Sequence, residues 1–141
     1  MQTGDVRKRL QQTIERAKRG AADRRTRNDE ATRVFTAFLD DVAVPLFKQI
    51  ANVLKIEGYP FTVFTPSGSV RLMSDRSSDD YIEIALDTAG ENPRVMAHIS
   101  RSRGRRVVDE EKLVAAGAPE AIGEEDLFAF LLKELEPFVE R

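Results

Sequence analysis

Two alternating segments in the middle of the chain decide the fold: Tyr81-Ile-Glu-Ile-Ala-Leu-Asp87 and Arg94-Val-Met-Ala-His-Ile-Ser-Arg101. In both, every second residue is apolar, which is the period of a β-strand with one buried face. Residues 88–93 between them contain Gly, Asn and Pro, which favour a turn. Because strands joined by so short a connection pair antiparallel, these segments predict the centre of an antiparallel sheet.

Shorter alternating runs on either side extend this sheet. They are predicted as strands at Tyr59–Thr65, Ser69–Ser74 and around Arg105–Asp109. Pro66-Ser67-Gly68 joins the first two runs as a hairpin turn, and Arg103-Gly104 turns the chain into the last one. Residues 110–123 are predicted to be a mixed connection with at most one helical turn, at 111–116. The result is an antiparallel meander of four or five strands.

Amphipathic helices are predicted before and after the sheet. Between residues 30 and 57, apolar side chains recur at i, i+3, i+4 and i+7, the spacing of one helical face. Pro45 lies inside this stretch, and because proline has no N–H and clashes with the preceding turn, we expect a kink or a break near Val44. A last helix is predicted to begin at residues 124–126, whose acidic side chains complement the positive end of its dipole. The predicted fold class is therefore α+β, with an N-terminal helical segment kinked near Pro45, the meander sheet and a C-terminal helix.

Alternation assigns the apolar residues of the strands to an inner face that the helices cover. The predicted inner residues are Phe61, Val63, Val70, Leu72, Ile82, Ile84, Leu86, Val95, Ala97, Ile99 and Val107. The opposite face is unusually apolar for one that meets water. Its predicted patch consists of Phe64, Met73, Tyr81, Met96 and His98, which could bind a ligand or a partner. Two alternatives stay open: the N-terminal segment or a second subunit packs there, or the strand register is shifted by one residue.

The charge of the chain is divided unevenly along its length. Residues 1–27 carry nine basic and three acidic side chains, a balance of +6, whereas residues 28–141 carry 13 basic and 21 acidic ones, a balance of −8. A thin apolar stripe follows the first segment at Val6, Leu10, Ile14, Ala17 and Ala21. Residues 23–30 contain nothing apolar, and a short helix alone is marginal in water, so the arm is expected to be helical where something covers its stripe and frayed otherwise. We therefore predict a basic helical arm at 1–27 and a single α+β domain at 28–141. The apolar faces of arm and helix exceed what one small body buries, which predicts a homodimer.

Arginines mark a second basic feature. Four of them fall in the predicted hairpin tip, at Arg101, Arg103, Arg105 and Arg106. Guanidinium groups bind phosphates, so this hairpin and the basic arm could together grip a nucleic acid. Against this, the sequence pI is about 5.5 and no aromatic residue interleaves the arginines for base stacking. The alternative is that these basic groups pair with acids of the same chain or of a neighbouring copy.

Several functional classes are excluded or disfavoured. The chain has no Cys, which excludes disulfide scaffolds, thiolate zinc sites and Cys nucleophiles. His98 is the only histidine, and because metal sites need further ligands at fixed spacing, we predict no metal and no cofactor. Ser100 lies on the same strand face as His98 but nothing marks it as activated, so no catalytic residue is assigned and an enzyme is not expected.

The longest apolar stretch, residues 42–47, is too short to span a membrane, and no apolar core follows the first charges as in a secretory signal. A cytoplasmic location with no membrane partner is expected.

Three functional hypotheses remain in order of preference. The first is a non-enzymatic binding or adaptor module, a homodimer that holds another protein on its sheet face or in a helical groove. The second is a nucleic-acid-binding protein that uses the arm and the arginine hairpin. The third is an enzyme with carboxylate or tyrosine chemistry. The first two differ in their response to salt, which abolishes phosphate contacts and spares apolar ones.

Overall fold

The chain begins with a helix that is longer than its apolar pattern predicts. The computed structural model describes residues 1–140, and in it helix α1 runs unbroken over Thr3–Phe38. Residues 23–30, which carry no apolar side chain, lie inside this helix. That segment contains no Gly or Pro, and its arginines and glutamate are good helix formers, so polarity alone does not interrupt the backbone.

The approach to Pro45 is a wide helical turn. A π-helical turn at Leu39–Ala43 follows α1, and helix α2 continues over Val44–Ile56 with Pro45 as its second residue. Proline cannot donate to the carbonyl four residues earlier and crowds it, and a π turn relieves that crowding by shifting the hydrogen-bond pattern. The predicted kink near Val44 is approximately confirmed. Gly58, with a φ of 95°, follows the end of α2.

The sheet is the predicted meander, with five strands. They are β1 at Phe61–Phe64, β2 at Ser69–Ser74, β3 at Tyr81–Asp87, β4 at Arg94–Arg103 and β5 at Arg106–Leu113. The spatial order is β1-β2-β3-β4-β5 and every pair is antiparallel. A last helix, α3, covers Glu124–Val139. The α+β class is confirmed.

All three helices pack against one face of the sheet. The central inner residues are fully or almost fully buried: Val70, Leu72, Ile82, Ile84, Val95, Ala97 and Ile99. The helices supply the other half of this core, with Phe35, Phe38, Leu46, Phe47, Ile50, Leu127, Leu131, Leu135 and Phe138. Val63 and Leu86, also predicted to point inward, are half-buried at its margin. The opposite face of the sheet is left without a helix among the residues described.

Strand β5 differs from its prediction in two ways. Residues 110–113 continue the strand, so the expected helical turn at 111–116 is wrong. Val107 pairs with Ser102 on the outer face and is 47% exposed, so its assignment to the core is also wrong. Val107 and Val108 are adjacent, and alternation alone does not decide which of them points inward. The pairing of Arg103 with Arg106 across the turn fixes the register and turns Val108 inward.

The inner face of β5 is held to α3 by ion pairs. The Lys112 ammonium donates to both Glu134 carboxylate oxygens, at 3.0 and 3.1 Å, and lies 3.3 Å from Glu110. Arg101 on β4 lies 3.3 Å from the same Glu110 carboxylate. Glu134 is only 7% exposed although charged, and its hydrogen bond from Lys112 raises the pKa of that lysine. These charged side chains take the place of apolar packing where β5 meets the helix layer. Apolar periodicity therefore did not identify residues 110–113 as part of the strand.

Replacing each of two valines by alanine tests the two faces of the sheet. Val95→Ala should lower the free energy of unfolding by about 1.5–3 kcal/mol, because Val95 is fully buried and its loss leaves a cavity. Val107→Ala is the matched control and should cost less than about 1 kcal/mol, since that side chain lies on the open face. Urea unfolding of both variants measures the difference. A larger loss for Val107 would show that the β5 register is the one that alternation predicted.

Removing the Lys112 charge should lower the free energy of unfolding, because it leaves the buried Glu134 carboxylate without its ion-pair partner. Lys112→Met should destabilise the fold by about 1–3 kcal/mol at pH 7, less than a fully buried pair because 40% of the Lys112 side chain stays in solvent. Lys133→Met, an exposed neighbour of Glu134, is the control and should be nearly neutral.

The same ion pair predicts the pH range of its own contribution. Because the pKa of Lys112 is raised in the folded state, its stabilisation is complete below the unfolded value of about 10.4 and falls as the pH rises through the folded value. The difference between wild type and Lys112→Met should thus be constant from pH 8 to about pH 10 and shrink above it. A double variant, Lys112→Met with Glu134→Met, should recover most of the loss. A difference near zero at pH 7 would show that the pair contributes nothing.

Candidate binding surface

The outer face of the sheet brings the predicted patch together on one surface. Its register places Phe64, Arg71, Glu83, His98 and Glu111 in one row across all five strands. The adjacent row consists of Thr62, Met73, Tyr81, Ser100 and Asp109. On the other side of the first row, Met96 lies between Ala85 and Leu113. We call these three rows the outer sheet face.

The five predicted residues are not equally close to one another. Tyr81 and His98 are in contact, with ring centroids 5.5 Å apart, and Met73 is the direct partner of Tyr81 on β2. Met96 precedes His98 by two residues on the same strand face. Phe64 is separated from His98 by two strands, roughly 14 Å, and is 42% exposed at the β1 edge. The centre of the patch is thus Tyr81 and His98, with Phe64 at its margin.

A stack of three side chains occupies this centre. The guanidinium carbon of Arg71 lies 4.2 Å from the Tyr81 ring centroid, in cation–π contact, and the His98 ring lies against Tyr81 at a 35° tilt. Arg71 Nε donates to Glu83 at 3.0 Å, and His98 Nε2 lies 2.9 Å from Asp109 Oδ1. We call Arg71, Tyr81 and His98 the aromatic stack. A carboxylate holds it at each end, so its side chains are fixed before any partner arrives.

Sequence reasoning missed the two carboxylates and the role of Arg71. Arg71 on β2 and Glu83 on β3 are direct partners, and their pairing follows once these two strands are aligned. Identifying Asp109 as a partner of His98 requires the register of β5. Apolar alternation assigned that strand's residues to the wrong faces. The signal that identifies all three is the row of partners across the sheet, which depends on the turns as much as on the strands.

The chemistry of His98 is that of a positioned ring. Ser100, its only neighbouring nucleophile candidate, donates its hydroxyl to the Asp79 carbonyl oxygen at 2.7 Å and is 2% exposed. That hydrogen bond turns the hydroxyl away from an attacking role beside His98. Within residues 1–140, no three His, Cys, Asp or Glu side chains are grouped so as to hold a metal ion. The arrangement provides a cation, two rings and two methionines for contact with another molecule.

The four arginines of the predicted hairpin are divided by the structure. Gly104 and Arg105 form a two-residue turn with a φ of 66° at Gly104, the conformation that glycine allows at the first position of a type II′ turn. Arg103, Arg105 and Arg106 are exposed around this turn, whereas Arg101 is half-buried against Glu110. Only three of the four guanidinium groups are therefore free to meet a phosphate at the tip.

The basic arm leaves the body far from that tip. Arg27 of α1 donates to the backbone carbonyl of Glu91 at 3.4 Å, in the turn that precedes β4. Strand β4 then runs ten residues, roughly 30 Å, before it reaches Arg103. The arm and the arginine hairpin therefore belong to opposite ends of the sheet and do not form one continuous basic surface within a chain.

This separation predicts weak contact with nucleic acid. Arg103→Ala combined with Arg105→Ala should leave the free energy of unfolding almost unchanged, because exposed charges at a turn contribute little. Fluorescence anisotropy with a generic DNA duplex at about 0.15 M salt should show no micromolar binding for wild type or variant. Micromolar binding that the variant loses, with a salt slope flatter by about one to two units, would make nucleic acid the primary partner.

Within residues 1–140, no helix has both the length and the apolar character needed to cross a membrane. Comparisons with protein-family models, with curated proteins and with solved structures find nothing that matches the chain. Its function therefore has to be argued from the geometry of the outer sheet face itself.

Proposed function

We propose that this protein is a non-enzymatic, cytoplasmic binding module that acts as a homodimer and holds a partner protein on its outer sheet face. The observation that carries the proposal is the bare sheet surface around the aromatic stack. All three helices pack on the inner face, and the exposed rows carry Tyr, Phe, Met and Arg. These residue types are enriched at the centres of protein interfaces.

The dimensions of the surface favour a protein over a small molecule. Five strands span roughly 19 Å, and the strands are four to ten residues long, so the face is broad and open. The depression beside Met96 and His98 has a volume of about 290 Å³ and is open to solvent. Binding sites for small ligands are deeper and enclose most of the ligand. A broad, shallow face of this kind suits another folded surface or an extended peptide.

The charges of the face indicate the chemistry of the partner. Arg71 forms an ion pair with Glu83, and the His98 ring is hydrogen-bonded to Asp109, so the polar groups around the rings and methionines of the centre already have partners. Since the stack is fixed by these pairs, little side-chain freedom is lost on binding. Asp109 and Glu111, which have no lysine or arginine partner among the described residues of this face, would repel a phosphate backbone. The surface therefore fits an apolar segment with polar groups at its edges, and it supports a protein partner better than a nucleic acid.

A photo-cross-linking amino acid placed at Met96 tests this proposal in cells of the source organism. We expect a discrete cross-linked adduct with another protein, and the same adduct from Met73 on the same face. Asn52, exposed on α2 on the other side of the molecule, is the matched control position and should not give this adduct. Equal or absent adducts at all three positions would contradict the proposal.

Tyr81→Ala then tests the aromatic stack as the centre of the interface. Loss of this ring should weaken binding of the captured partner by at least about tenfold, as expected for a central aromatic anchor. The melting temperature should fall little, because Tyr81 is only half-buried. Asn52→Ala is the matched control and should bind as wild type does. Unchanged affinity for Tyr81→Ala would move the interface away from the stack.

A further inference from the structure

The first half of α1 has an apolar stripe that nothing in its own chain covers. Residues 1–19 are all exposed, including Val6 at 39%, Leu10 at 56% and Ile14 at 50%. Most helical stability in proteins comes from packing of an apolar face, and this half of α1 has no such packing within its own chain. The stripe therefore needs a partner surface to remain an ordered helix.

The body of the same chain cannot supply that surface. After the polar residues 23–30, the same face of α1 carries Ala31, Phe35 and Phe38, which are buried in the core, with Phe35 five full helical turns after Ala17. Because α1 is unbroken over its 36 residues, about 54 Å, its first half cannot fold back over the body to which its second half is fixed. Whatever covers Val6 to Ala17 belongs to another molecule.

An apolar groove on the helix layer has no occupant either. It lies between α2 and α3, has a volume of about 440 Å³, and has Leu46, Ile50 and Leu135 along its floor. Its walls expose Val53 at 59% and Leu132 at 55%. We call this the α2–α3 groove. It is a separate surface from the outer sheet face, on the opposite side of the sheet.

The stripe and the groove match in length and in charge. From Val6 to Ala17 the stripe spans roughly 16 Å, and the α3 wall from Glu124 to Leu135 spans the same distance. Arg7 and Lys18 flank the stripe on one side of the helix, with Arg9 and Arg16 on the other. Glu124 and Glu125 line the groove. A basic helix with one apolar stripe therefore faces an apolar channel with an acidic end.

We propose that the arm of each copy lies in the α2–α3 groove of a second copy. The occupant is thus this chain's own residues 6–17, supplied in trans, with Leu10 against Val53 and Leu132. The inference rests on the homodimer of the proposed function and names its contact. A two-fold dimer makes the contact twice, so each arm supplies only half of the interface. The outer sheet face remains open in this arrangement and available to a different protein.

The absence of Cys from the chain allows a direct test by engineered disulfides. One preparation carries Leu10→Cys and another carries Leu132→Cys, and the two are mixed and oxidised. We expect a disulfide-linked species of twice the chain mass in the mixture, because seated arms bring the two Cα atoms within the few ångströms that a disulfide spans. Leu10→Cys mixed with Val53→Cys is the second pair and should cross-link as well. Gln12→Cys, on the opposite face of the arm, is the matched control and should not.

Other outcomes identify the rival arrangements. Self-cross-linking of Leu10→Cys, with nothing added by the groove variants, would show that two arms pair with each other and would overturn the proposal. A dimer in which neither groove variant cross-links to Leu10→Cys would overturn it too. Sedimentation equilibrium at the monomer mass of 15.9 kDa, at tens of micromolar, would remove both this contact and the homodimer. Adducts at Met96 would be unaffected by any of these results, so the sheet-face proposal stands or falls separately.

A charge introduced into the apolar stripe of the arm should weaken the affinity of the two copies for each other. Ile14→Asp places a carboxylate where the groove is apolar, and we expect the dimer dissociation constant to rise by at least about tenfold. Gln12→Asp adds the same charge on the opposite face and serves as the control. Equal effects of the two changes would show that only the net charge of the arm matters, which would contradict a seated stripe.

Discussion

Burial of one face of the sheet against the helix layer is the interaction on which the rest of the structure depends. Fully buried side chains of β2, β3 and β4 meet Phe47 of α2 and Leu127 and Leu131 of α3 in a single core. Because all the helices are needed on that side, the other face of the sheet is open. The same arrangement leaves the first half of α1 beyond the end of the sheet. Both exposed surfaces thus follow from the way in which the core is built.

The parts of the fold that depend on apolar periodicity were predictable from the sequence. The alternation of β3 and β4 gave their faces correctly, and Pro45 marked the irregular turn between α1 and α2. The prediction of β5 failed, because charged side chains and not apolar ones connect this strand to the helix layer. Lys112 points inward from β5 and is paired with Glu134, which lies far along the chain, and Glu110 on the same face is paired with Arg101 and Lys112. Periodicity treats such residues as loop or surface, and only the tertiary pairing shows otherwise.

The rings of the candidate surface were predictable from the sequence, but their carboxylate partners were not. Tyr81 and His98 were identified because they lie in the two strands whose faces were clear. Their carboxylate partners depend on cross-strand register, and for Asp109 that register is set by the two-residue turn at Gly104. The distance between the basic arm and the arginine hairpin has a similar origin. Both features are visible in the sequence, but only the unbroken α1 and the length of β4 show that they lie at opposite ends.

Hydrogen–deuterium exchange along α1 tests the central claim most directly, which is that one continuous helix is stabilised by two different bodies. Amides of residues 28–38 are held by their own core and should exchange slowly at every protein concentration. Amides of residues 3–20 should exchange slowly in concentrated solution and rapidly after strong dilution, because their cover is a second copy. Rapid exchange of residues 3–20 at all concentrations, while residues 28–38 stay protected, would contradict the account.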